Sequence, residues 1–322
     1  MLSRVAESVY WLSRYIERAE NTARCIDVNI SLTLDLGDEW ANQWAPLVFT
    51  TGGHDLFAER HGEPTRENIL KFLTFDRHNP NSIFSCIAAA RQNARSVRES
   101  LSTSVWEELN RFYLRLNEAR IAGDLDTSVY DDVKRASQLL TGIMDSTQTH
   151  NEAWHFARLG RLLERGDQTS RILDVKYFIL LPTIQDVGSS FDITQWSALL
   201  KSASALNMYR RVHHRIVPAR VVEFIALDRD FPRSMRFCIS RAEHSLHKIT
   251  GTPLDVYSLP VEQELGRARA ELEFAKAEQI IKEGLHEFID KFQDGIIRVG
   301  TLIASSFFDA QPEAAQEGFQ NQ

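Results

Sequence analysis

"LSRYIERAENTARCIDV" occupies residues 12–28, and "LGRLLERGDQTSRILDV" occupies residues 159–175. Set one over the other, eight of 17 positions agree at an offset of 147, giving L-x-R-x-x-E-R-x-x-x-T-x-R-x-x-D-V. At about 100° per residue the first copy reads as an amphipathic helix. Leu12, Tyr15, Ile16, Ala19, Ala23 and Ile26 fall on one side; Arg14, Glu17, Arg18, Asn21 and Arg24 fall on the other. The apolar stripe is that of a helix facing a core. The polar stripe has the order of an Arg–Glu–Arg ladder on neighbouring turns. A solvated face with ion pairs worth about 0.3–0.5 kcal/mol each accounts for one such helix. The same ions recur in the same order at Arg161, Glu164, Arg165 and Arg171. That recurrence points either to a shared charged cleft or to buried pairs that fix helix register.

The echo extends further. "QWAPL" at 43–47 answers "QWSAL" at 195–199, setting Trp44 over Trp196. "FLTFDRHNPNSIFSCI" at 72–87 answers "FIALDRDFPRSMRFCI" at 224–239. Three collinear anchors at nearly constant offset predict an internal duplication, with halves of about 1–149 and 150–308 related by a pseudo-two-fold. The shared D-R-x-x-P-x-S predicts a helix start, with proline in the first turn and Asp and Ser satisfying free N–H groups. The paired Cys86/Cys238 and Trp44/Trp196 are expected in the core.

The chain has 322 residues, 43% apolar and 25% charged, an ordinary globular composition. Its formal net charge of −7 argues against a general nucleic-acid binder. No apolar run is long enough to cross a bilayer, and "MLSRVAESVYWLSRYIER" lacks the apolar core of a signal peptide. Three scattered cysteines without a C-x-x-C predict reduced thiols in a cytoplasm. Long stretches rich in Ala, Leu, Arg and Glu, with no alternating strands, predict an all-α helical bundle. Helices are expected over 81–101, 104–119, 128–149 and 150–181, and a long one over 267–308 broken near Gly295. Arg91, Arg95 and Arg98 are expected to add charge to the cleft. The breaker-rich stretch 48–66 reads as a surface loop covering it. The tail 309–322 reads as disordered.

Glu-x-x-His occurs at Glu152/His155 and Glu283/His286. That spacing serves di-iron bundles, but about one such pair arises by chance in a chain of this composition, and these two do not correspond within the repeat. His213 and His214 point about 100° apart on a helix and chelate poorly. With no Walker loop, G-x-G-x-x-G or G-x-S-x-G, neither metal nor cofactor is expected, and no nucleophile–base pair is legible.

The opening "SRVAESVYWLSRYIERAENTAR", the middle "NPNSIFSCIAAARQNARSVRESLSTSVWEELN" and the second copy "EAWHFARLGRLLERGDQTSRILDVKY" resemble the bacterial alpha-E domain family. The resemblance covers residues 1 to about 308 and implies an all-helical cytoplasmic protein whose Glu-Arg motif is Glu17-Arg18. It also implies genomic association with circularly permuted ATP-grasp ligases and transglutaminase-like proteases, hence with peptide formation or modification. No family catalytic residues carry over. Two functions follow as expectations. In the first, the chain is a non-catalytic partner of an ATP-grasp ligase. It binds an anionic peptide or amino acid through Arg14, Glu17, Arg18, Arg24, Arg161, Glu164, Arg165 and Arg171. In the second, Glu17 or Glu164 is a general acid–base while arginines clamp a carboxylate.

Overall fold

The computed structural model describes residues 1–36, 44–179 and 190–309. Among them are fifteen α-helices and no strands. In chain order they are α1 (Ser3–Leu36), α2 (Ala45–Thr50), α3 (His54–His61), α4 (Arg66–Thr74), α5 (Ile83–Ser96), α6 (Thr103–Ala122), α7 (Thr127–Thr147) and α8 (Glu152–Ile179). There follow α9 (Ser190–Ser202), α10 (Leu206–His213), α11 (Pro218–Val222), α12 (Met235–Thr250), α13 (Pro260–Phe274), α14 (Ala277–Glu283) and α15 (Leu285–Ile303). None of these is long and apolar enough to cross a membrane.

The two helices that carry the repeated stretch, α1 and α8, pack along each other at the centre. α5 and α7 flank α1, α6 covers α5 and α7, and α12 and α15 flank α8 with α13 behind them. The buried apolar side chains form two clusters. One is built from residues between Val5 and Ala157, the other from Tyr10 and residues between Leu159 and Ile303. Where α1 crosses α8, Gly160 lets the backbones touch: a Cβ there would lie 2.4 Å from the Tyr10 carbonyl oxygen. This close approach, and the matched polar stripes on the same two helices, set up the site.

Several expectations meet corrections. The stretch 48–66 is mostly helical, contributing the end of α2, all of α3 and the start of α4, because Leu47, Val48 and Phe57 are buried and draw it onto the core. The C-terminal segment breaks at residues 275–276 and again at Gly284, whose φ of +119° no L-residue adopts cheaply. Gly295 lies inside α15, buried. Arg91 and Arg98 turn away from α1. Arg91 donates to Asn110 at 2.7 Å and covers Tyr113, and Arg98 covers Trp106, all on α6. The expected disordered tail, apart from Asp309, and the last residues of the 150–181 helix lie outside the described residues.

The D-R-x-x-P-x-S element does start a helix in both places. Ser82 accepts from the Ser85 N–H at 3.1 Å, and Ser234 from the Phe237 N–H at 3.0 Å. Its proline lies two residues before the cap, not within the helix, and its carbonyl accepts the Cys86 or Cys238 thiol at 3.7 Å in each case. Burial pushes both thiols up to about 12, so they stay protonated and unreactive. Trp44 and Trp196 are buried as expected.

Candidate functional site

The polar stripes of α1 and α8 face each other, and their ion pairs are crossed. Arg18 donates through Nε and Nη2 to the two oxygens of Glu164, at 2.7 and 3.0 Å. Arg165 donates through Nε and Nη2 to the two oxygens of Glu17, at 2.9 and 2.7 Å. Each Glu-Arg dipeptide thus takes its counter-ions from the other helix. Even the supporting amides correspond: Asn21 donates to Glu17 at 3.0 Å and Gln168 to Glu164 at 3.1 Å. The bidentate fork is the strong form of this interaction, and it exploits the planar geometry of arginine.

The remaining partners differ between the copies. Arg14 reaches Glu164 at 2.8 Å and lies over Trp11. Its counterpart Arg161 does not reach Glu17. Arg233 takes that place, donating to Glu17 at 3.1 Å and Asn21 at 2.9 Å, and pairing with Glu20. The residue corresponding to Arg233 is Asn81, whose side-chain oxygen accepts from Arg18 at 2.8 Å. Sequence reasoning missed both. They occupy the variable position of P-x-S, just before the serine cap. The available signal was that this stretch recurs, at 76–82 and at 228–234, immediately before a helix.

Arg24 and Arg171 lie further along. Each is tied to an acid on its own helix: Arg24 to Glu20 at 2.9 Å, Arg171 to Asp167 at 2.9 Å. Asp27 and Asp174 pair elsewhere, with Lys134 at 2.6 Å and His286 at 2.8 Å. His286 also meets Asp290 at 3.3 Å through its other ring nitrogen. The hydrogen bond to Asp174 raises the His286 pKa and so favours its protonated form. The two Glu-x-x-His pairs do not converge: Glu152 holds the Met1 ammonium and Glu283 accepts from Gln279.

The charges are deeply placed. The Glu164 and Glu17 side chains are 0% and 1% exposed, while Arg14, Arg18 and Arg165 keep 14, 20 and 15%. Burial would raise both carboxyls, yet the arginines win. Glu164 is held at about 2 by Arg14 and Arg18, and Glu17 is held well below its ordinary range by Arg165 and Arg233. Burial likewise opposes the charges of Arg18 and Arg165, but the facing glutamates raise both. Arg161 and Arg233 are lowered, chiefly by burial. The network is filled: a cavity beside Glu17, Ser137 and Arg161 measures about 20 Å³, the size of a water site.

A carboxyl whose folded pKa is depressed stabilises the fold above its unfolded pKa, and that stability is lost as pH falls through the folded value. For Glu164 the window runs from its ordinary 4.5 down to about 2. Helical circular dichroism is therefore expected to hold at pH 5 and to collapse cooperatively across this window. Undiminished stability down to pH 2 would mean that the pairs contribute nothing.

Fold and site together define a class: all-helical proteins organised around a Glu-Arg motif. The chain belongs to the Alpha-E family, described as a predicted alpha-helical domain with a conserved ER motif, which matches residues 1–308. It is similar to the uncharacterized protein Mb2597 of Mycobacterium bovis, with 23% identity over 271 residues, covering 77% of this chain and 30% of that protein. It is similar to the uncharacterized protein Rv2567 of Mycobacterium tuberculosis at 22% identity, with the same coverage. The chain thus spans about a third of the length of these relatives. No solved structure matches it.

Proposed function

We propose that the chain is a binding component of a bacterial peptide-forming or peptide-modifying system, working beside an ATP-grasp ligase and holding an anionic peptide or amino acid. The observation that carries this reading is the charge balance around the crossed pairs. Arg14, Arg18, Arg24, Arg161, Arg165, Arg171 and Arg233 stand against Glu17, Glu20, Glu164 and Asp167. Such an arginine excess in a poorly solvated place attracts a carboxylate. The partly exposed edges of Arg14, Arg18 and Arg165 are where it would meet them. We read residues 1–308 as one domain of two duplicated halves, about 1–149 and 150–308, with a pseudo-two-fold between α1 and α8. The reciprocal Arg18–Glu164 and Arg165–Glu17 pairs support that relation. The curated relatives extend well beyond the matched stretch, as expected of a module that works joined to other polypeptide. Free, buried Cys86 and Cys238 fit a cytoplasmic location.

The second reading is an enzyme with Glu17 or Glu164 as general acid–base. Ionised carboxylates held far below neutrality, with both oxygens engaged, make weak bases and carry no proton to give. The two readings separate in one experiment. The purified chain, alone and with a bacterial ATP-grasp ligase, is assayed for product by mass spectrometry. Product is expected with the ligase only. Product from the chain alone, abolished in a folded Glu17→Gln or Glu164→Gln variant, would replace the binding reading with the catalytic one.

A further inference from the structure

The replacement of Arg161 by Arg233 at Glu17 has left Arg161 without a counter-ion, and Arg161 heads a line of similar groups. His155, Arg158 and Arg161 follow at three-residue steps on α8, and Arg241, His244 and Lys248 share a face of α12, which packs against it. None of these six side chains pairs with a carboxylate among the described residues. Two orphaned atoms, Arg161 Nε and His155 Nδ1, are buried there without a hydrogen-bond partner. The groups are close enough to disfavour one another's charge. Arg158 is lowered by burial and then by Arg241; His155 is lowered by burial and then by Arg158, His244 and Lys248. Asp145 is the one acid whose charge favours both Arg158 and Arg161, and it pairs with neither.

Uncompensated cations held together are costly unless an anion relieves them. The arginines are also presented rather than loose: Arg158 lies over Trp154 at 5.2 Å and Arg241 over Phe237 at 5.3 Å. A guanidinium held over a ring face keeps N–H donors for a planar, two-oxygen acceptor. At Arg241 and His244 the lane opens into a cavity of about 470 Å³, whose other arginines are already paired with Glu273 and Glu243. That is room for a peptide residue or two.

We propose that this α8–α12 lane binds the side-chain carboxylates of an acidic peptide. On α8, His155 to Arg161 covers about 9 Å of helix. Acidic residues two apart in an extended strand present carboxylates about 7 Å apart on one side. A nucleic acid fits less well: the lane is short, and the chain as a whole carries −7, so a polyanion continuing past the lane is repelled. The proposal deepens the peptide reading above and rests on it for the ligand class. It does not depend on the ligase, so the two can fail separately.

The test is fluorescence anisotropy of fluorescein-labelled hexaglutamate with the full chain, at low salt and at physiological salt. Saturable binding is expected, weakening as salt rises. The Arg158→Ala/Arg241→Ala double variant should bind about tenfold or more weakly with a melting temperature that holds or rises. Arg161→Gln should weaken binding while keeping the fold, and Lys282→Ala, on α14, should change nothing. Three results would each overturn the proposal: no binding, equal affinity in the folded double variant, or tighter binding of a six-phosphate oligonucleotide.

Discussion

Glu164→Gln is expected to cost about 3–5 kcal/mol of folding stability, although glutamine has the same shape. The substitution leaves one carbonyl oxygen to accept from Arg14 and Arg18, which now donate three bonds to two carboxylate oxygens. It also leaves two guanidinium charges around a fully buried side chain with no anion between them. Denaturant unfolding followed by circular dichroism measures the loss. The same physics predicts that removing all three charges, as Arg14→Met, Arg18→Met and Glu164→Leu together, costs less than Glu164→Gln alone, since no buried charge is stranded. A loss under about 1 kcal/mol in the single variant would place the pair in the weak, solvated class.

Gly160→Val is expected to be the most damaging apolar change, costing about 3 kcal/mol or more. A Cβ at this position meets the Tyr10 carbonyl oxygen at 2.4 Å and its ring at 3.0 Å. Backbone cannot rotate aside as a side chain can, so α1 and α8 must separate, and the crossed pairs a turn away lose their geometry. Gly142→Ala is the matched control. It lies on the exposed side of α7 with nothing within 4 Å of its new Cβ. Replacing glycine by alanine inside a helix there should add up to about 1 kcal/mol. Thermal unfolding of the two variants should move in opposite directions; similar melting temperatures would mean that the helices at Gly160 have room to adjust.

Much of this was legible in the sequence because helical periodicity and the recurrence at offset 147 are strong, local signals. They placed Glu17, Arg18, Glu164 and Arg165 on corresponding faces. They did not show that the pairs cross, because facing partners are set by how α1 and α8 pack. Arg233 and Asn81 escaped notice for a related reason: they enter from loops, and a residue that differs between two matching stretches looks like noise. The excess at Arg161 followed from that omission, since nothing in its own helix distinguishes it from Arg14. Breaks were misjudged where composition misled. Gly295 is tolerated inside α15, while Gly284 ends α14 because its backbone takes a conformation reserved to glycine. The glycines of 48–66 hid apolar residues that anchor two helices.

The crossed pairing also bears on how such a chain can drift. A charge lost at position 17 is felt at 165 and 233, far along the polypeptide, and only Arg233 keeps a second acid, Glu20. A substitution at Glu17 is therefore felt 148 and 216 residues away in the chain, at Arg165 and Arg233. The two dipeptides are thus one physical unit divided between two distant places in the chain.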